Sequence, residues 1–243
     1  DPDWDAEANK GNIDAYPGDW GTTGEHWGGS VWVSSAIDEE TGTVFLATGY
    51  PGVGLTLAGH MDANLTPGPN LYTNSVIALD VETGDLKWYY QTTPHDVLQH
   101  GFGWNVILAK ATIDGEEKKV VVAGSKSGYV YELDAETGEL VIPPVEVGVH
   151  LKNHNSNLGN NADMTLNQIE ELACPGGNGG IEAPLAFSQN TIFVASQNRC
   201  FHWRPIEDAY KGERVWVAGP AVERPQNATL YAVDASTGRI KWR

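Results

Sequence analysis

Apolar residues in this chain come in short runs bounded by turn formers, not in helical stripes. VFLATG (44–49), SVIALD (75–80), KKVVVAG (118–124), SGYVYELD (127–134), NTIFVASQN (190–198), ERVWVAG (213–219) and TLYAVD (229–234) each read as a strand of the length globular sheets use. Ser125-Lys126-Ser127-Gly128 joins the third and fourth of these as a turn. MTLNQIEELA (164–173), apolar at Leu166, Ile169 and Leu172, is the one helical candidate. It lies in an Asn- and Gly-rich excursion over 145–180, long enough to predict a functional loop. Residues 1–25 are acidic, Gly-rich and poor in strand pattern, and read as a surface segment. Residues 26–243 carry the strands.

Three of the runs lead into one phrase: ALDVETGDLKW (78–88), ELDAETGELVI (132–142) and AVDASTGRIKW (232–242). Apolar-x-Asp closes a strand, Asp-x-x-Thr-Gly turns, and a second strand follows, ending twice on an indole, Trp88 or Trp242. Such an indole predicts a wedge between neighbouring sheets. A weaker copy is AIDEETG (36–42). Asp80 and Asp134 lie 54 residues apart and Asp134 and Asp234 lie 100 apart, which reads as two steps with one unit degenerate. Strand-turn-strand units at this period predict an all-β fold of four-stranded propeller blades, about four in this chain.

Composition narrows the functions. The 28 glycines, 9 tryptophans and 9 tyrosines suit many short strands with tight turns. A net charge of −17 excludes a cationic phosphate-binding face, and so argues against nucleic acid as a partner. That charge serves solubility, or an acidic dock for a cationic protein. No apolar run is long enough to span a bilayer. Cys174 and Cys200 are the only cysteines. Asn64-Leu65-Thr66 and Asn227-Ala228-Thr229 are glycosylation sequons. His150 and His154 stand four apart, but in the Asn-rich loop and not on a helix that would aim them at one metal.

PGPNLYTNSVIALDVETGDLKWYYQTTPHD (67–96), HWGGSVW (26–32) and TGTVFLATGY (41–50) are similar, at matching spacing, to the quinoprotein alcohol dehydrogenases, eight-bladed propellers that carry pyrroloquinoline quinone (PQQ). The resemblance covers most of 20–242. It implies a quinone stacked on Trp32, with Ser30 near a cofactor carboxylate, and Lys126 as the cation against the reactive carbonyls. Glu182 lies near where the family presents an Asn to the cofactor. The resemblance further implies calcium or a lanthanide beside the quinone, a Cys174–Cys200 disulfide with an oxidising extracellular, cell-surface or periplasmic location, and a cytochrome acceptor. The remaining blades, or a second chain, would complete the ring.

Two departures sharpen the picture. The metal-ligating Asn of the family is Tyr50 here, and a phenol is a poor calcium ligand. The catalytic Asp of the family is Gln99, which cannot act as a base. Asp96 and His100 flank it, and Asp96 is the candidate base, although it matches a family Asp read as structural. Two readings follow: an alcohol or aldose dehydrogenase with an atypical site, or a non-catalytic propeller without cofactor that binds protein or glycan.

Overall fold

In the computed structural model the described residues are 27–52, 69–94, 96, 99–148, 174–176, 179–207, 214–221, 224 and 226–243. The surface-segment reading of 1–25, the helix expected at 164–173 and the Asn64 sequon lie outside them. Three four-stranded antiparallel sheets form, each built from strands consecutive along its edge-to-edge order. The first comprises β2 (Ala36–Asp38), β3 (Thr43–Ala47), β5 (Ser75–Asp80) and β6 (Leu86–Gln91). The second comprises β7 (Ile107–Ile113), β8 (Glu116–Gly124), β9 (Tyr129–Asp134) and β10 (Val145–Glu146). The third comprises β11 (Ala186–Ser188), β12 (Thr191–Asn198), β15 (Asn227–Asp234) and β16 (Ile240–Trp242). β1 (Trp27–Gly28) pairs with β4 (Pro51–Gly52) ahead of the first sheet.

The strand at 213–219 does not enter a sheet of its own. β14 (Arg214–Pro220) pairs with β13 (Phe201–Glu207) as a hairpin inserted between β12 and β15. Among the described residues, the 100-residue stretch between Asp134 and Asp234 holds one four-stranded sheet and this hairpin. Against about four expected blades, the described residues hold three.

The repeated phrase has one local structure. Asp80 Oδ1 accepts from the amides of Glu82 (3.0 Å) and Thr83 (3.1 Å). Asp134 Oδ1 does the same for Glu136 (2.9 Å) and Thr137 (3.0 Å). Asp234 Oδ1 accepts from Ser236 N at 3.0 Å. In each, the Gly amide returns to the Asp carbonyl, closing the turn from the third strand to the fourth. The weaker copy departs: AIDEETG makes the turn between β2 and β3, and Asp38 reaches across to Lys119 of the second sheet at 2.7 Å.

Alternation along these strands puts apolar residues on both faces, as sheets covered on both sides require. Phe45, Val76, Ala78 and Trp88 of the first sheet pack on Val121, Ala123, Tyr129, Tyr131 and Leu133 of the second. Val120, Val122 and Val130 on the second sheet's other face meet Ile192, Val194, Tyr231 and Val233 of the third. The first strands β2, β7 and β11 touch one another in succession. The sheets thus converge along their first strands, the radial arrangement of propeller blades.

Candidate functional site

In an antiparallel sheet the start of the first strand and the end of the second lie at the same end. Chain entering β2, β7 and β11, and chain leaving β3 and β8, therefore meet at one end of the converging edge. Trp32, Gly103 and Glu182 enter; Gly49, Tyr50 and Lys126 leave. Trp32, Tyr50, Lys126 and Glu182, singled out from sequence, are brought together there.

The contacts run from one to the next. Gly49 N donates to Ser30 O at 3.0 Å, and Gly29 N to Tyr50 O at 3.0 Å, which sets the Trp32 segment against the end of β3. The Trp32 indole Nε1 lies 3.5 Å from where a Cβ on Gly49 would stand. Trp32 is nevertheless 65% exposed, a large flat apolar surface at the site's mouth. Ser30 is exposed, and its backbone carbonyl makes the contact just described. Lys126 is 5% exposed; its Nζ lies 3.3 Å from Glu182 Oε1 and 5.3 Å above the centre of the Tyr50 ring. The ring face is attractive to an ammonium, more so away from water. Burial pushes the Tyr50 phenol above its ordinary pKa, and the negative charges of Asp96 and Glu182 push the same way.

The segment 96–103 threads this cluster. A Cβ at Gly101 would collide with Tyr50 N and the Gly49 carbonyl carbon, so only glycine lets the strand pass. Lys126 N donates to Gly101 O at 3.2 Å, and Ser125 Oγ to His100 O at 2.6 Å. Asp96 is buried; its Oδ2 accepts from Asn74 Nδ2 at 2.7 Å and from His100 N at 2.6 Å. His100 Nε2 bonds Pro175 O at 3.0 Å, tying the segment to the Cys174–Cys200 disulfide, which is formed. Gln99 takes a left-handed φ of 63°.

Asn74 escaped the sequence reading. Its amide also donates to Thr93 O at 3.1 Å, while its buried Oδ1 has no hydrogen-bond partner among the described residues. Asn70 and Asn74 both hold positive φ (56° and 50°), a conformation Asn tolerates, and that tolerance was the available signal. Of the two indoles that end the repeated phrase, Trp88 is a wedge, whereas Trp242 is 49% exposed among the described residues. Asn227 of the second sequon is exposed and accepts from Asn198 Nδ2 at 2.7 Å.

A cleft of about 630 Å³ opens at the opposite end, lined by Asp38, Thr41, Lys87, Lys119, Asp134 and neighbours. Two of its lysines are held in the Asp38–Lys119 and Lys87–Asp80 pairs. The chemistry gathers at the Lys126 end instead.

Whether the residues suit a quinone and a metal has separate answers. An exposed indole against Gly49 and a buried ammonium over the ring of the next residue, Tyr50, suit a flat anionic ligand. A hard divalent or trivalent cation wants several carboxylate or amide oxygens, and no cluster of three His, Cys, Asp or Glu is placed to supply them among the described residues. No helix among those residues is long and apolar enough to cross a membrane.

Known proteins resemble this chain in fold and in sequence. A structure described as europium-containing methanol dehydrogenase superimposes with a TM-score of 0.69 at 22% identity, over 88% of this chain and 39% of that one. The putative dehydrogenase XoxF of Paracoccus denitrificans is 28% identical over 246 residues, covering 90% of this chain and 40% of the relative. The quinohemoprotein alcohol dehydrogenase of Comamonas testosteroni is 30% identical over 190 residues, covering 74% of this chain and 26% of the relative. Lupanine 17-hydroxylase [cytochrome c] of a Pseudomonas species is 33% identical over 127 residues, covering 50% of this chain and 17% of the relative. The chain spans two fifths or less of these relatives. The family model for PQQ, glucose/ethanol/alcohol dehydrogenase, beta-propeller domain, matches residues 2–157, more than half of the sequence, and the chain belongs to that family.

Proposed function

We propose that this chain supplies the quinone-polarising part of a PQQ-dependent alcohol or aldose dehydrogenase. The observation that carries the reading is the buried Lys126 ammonium held between Glu182 and the ring of Tyr50, the residue after Gly49, against which the exposed Trp32 lies. PQQ, when bound, accepts the two electrons and the hydrogen that leave the alcohol carbon. Trp32 is the floor on which a flat ring system stacks, and Ser30 offers a hydroxyl at the same rim. Lys126 places positive charge where an electron-poor carbonyl needs it, with little water to screen it. Asp96 is the carboxylate nearest the sequence position of the family's base, and its charge reaches Tyr50. It is assigned the alcohol proton, with Asn74 and His100 N holding it in place.

The disulfide supports an extracellular or periplasmic setting. The acidic surface suits a cationic cytochrome as electron acceptor, and a relative's printed name includes cytochrome c. The test is alcohol-dependent reduction of an artificial dye by the full-length protein after loading with PQQ and calcium or a lanthanide. Turnover that Asp96→Asn lowers by about two orders of magnitude is expected. A protein that leaves PQQ absorbance unchanged at every concentration overturns the reading.

Tyr50 and Gln99 favour a second reading, a propeller with a decayed quinone site that binds protein or glycan. It expects no turnover in the wild type and recovery in a Tyr50→Asn, Gln99→Asp double variant. Wild-type turnover removes it.

A further inference from the structure

We propose that Lys126 is the cation of this site and that the quinone binds without a divalent or lanthanide ion. The proposal rests on the quinone reading above. A bound calcium ion takes about six to eight oxygens, whereas at this site, among the described residues, Asn74 Oδ1 is a single buried amide oxygen without a hydrogen-bond partner. Glu182 is committed to Lys126 at 3.3 Å. Asp96 Oδ2 takes two short hydrogen bonds, from Asn74 Nδ2 and His100 N. Tyr50 offers a phenol where an amide oxygen would ligate, and that phenol stays protonated in its buried, negatively charged surroundings. The position vacated as a ligand has become the ring face on which the ammonium rests.

Lys126 meets the same need in another way. An ammonium carries three donors, and one carboxylate oxygen and a ring face do not exhaust them. Gly103 lies beside the pair: a Cβ there would stand in ordinary contact, 3.7 Å from Glu182 Oε2 and 3.8 Å from Lys126 Cδ. Glu182 then competes with an incoming anionic ligand for the ammonium. A metal site would respond to its loss in the opposite sense, because removing a ligand weakens metal and quinone together.

The experiment titrates PQQ into the full chain after exhaustive chelation, then again with calcium and with lanthanum, following tryptophan quenching and quinone absorbance. Binding should occur in chelator and change less than about twofold with either ion. Glu182→Gln should tighten it, Lys126→Met should weaken it about tenfold or more, and Lys126→Arg should keep it, each checked for native circular dichroism. Binding seen only with calcium or lanthanum, or abolished by Glu182→Gln, overturns the proposal and leaves the quinone reading standing. No binding under any condition overturns both.

Discussion

Trp88 and Trp242 hold the same place in one repeated phrase and have opposite surroundings. Trp88 pairs with Ala78 on its sheet and lies 5.8 Å from the Phe45 ring; Trp242 pairs with Ala232 and lies 6.1 Å from Phe193. The adjacent lysines match too, Lys87 on Asp80 at 3.3 Å and Lys241 on Asp234 at 3.1 Å. The first and third sheets are therefore one module. Yet Trp88 is 9% exposed, with Nε1 donating to Ala135 O at 3.1 Å in the next sheet, while Trp242 is 49% exposed. The phrase builds the wedge; whether the wedge does anything depends on the sheet that receives it. The receiver is the glycine turn of the following phrase. A Cβ on Gly138 would stand 2.6 Å from the Trp88 ring.

The second interface uses the same turn without an indole. Gly238 meets Val145 and Ile142, the residue standing where the other copies have Trp. Glu132 lies on β9, on the face that meets the third sheet, 1% exposed and with neither carboxylate oxygen hydrogen-bonded among the described residues. Burial, then the charge of Asp234, pushes its pKa up to about 8. One interface is closed by an aromatic ring with a polar handle, the other by aliphatic packing around a carboxyl group.

The largest effect expected from this contrast is in the indoles. Trp88→Ala should cost about 3–5 kcal/mol of unfolding free energy in denaturant titration, and Trp242→Ala, in the 243-residue chain alone, within about 0.5 kcal/mol. Equal losses would mean that the Trp242 face is covered in solution. Next comes Glu132. Its folded pKa lies above its unfolded one, so the folded chain holds the extra proton. Stability is full below about pH 4.5 and falls as pH rises towards about 8. Glu132→Leu should flatten that slope and gain about 5 kcal/mol at pH 9, with little gain at pH 4; a pH-independent gain would place the charge elsewhere. The smallest and most diagnostic is a series of turn glycines. Gly84, Gly138 and Gly238 share φ values of 77°, 74° and 69°. Alanine should cost about 1 kcal/mol at Gly84 from φ alone, since nothing lies within 4 Å of it. Gly238→Ala should cost more, and Gly138→Ala the most, by about 1–3 kcal/mol beyond Gly84. Three equal losses would show that the glycines serve the turn and not the docking.

Much of this was legible beforehand. Strands at 44–49, 75–80, 118–124, 127–134, 190–198 and 229–234 reappear within a few residues, because alternation and Asp-x-x-Thr-Gly turns are local signals. The run at 213–219 was read correctly as a strand and wrongly as part of a blade sheet, because nothing in its own pattern names its partner. AIDEETG looked like a fourth copy, but its turn joins β2 to β3 and spends its Asp on Lys119. At the site, Lys126 and Glu182 were singled out separately, and their pairing spans 56 positions. Tyr50 was noted for the ligand it could not be, not for the ring it lends to Lys126.

The sequence by itself determined the unit: where strands begin and end, how each phrase turns, and which family of sheets results. Those features depend on residues a few positions apart, so the chain carries them wherever it is. Tertiary structure alone decided which indole is buried, that Glu132 loses its solvent, and that a lysine, a glutamate and a tyrosine from three sheets share one small volume. Desolvation and charge pairing depend on distance in space, and convergence of the sheets along their first strands sets those distances.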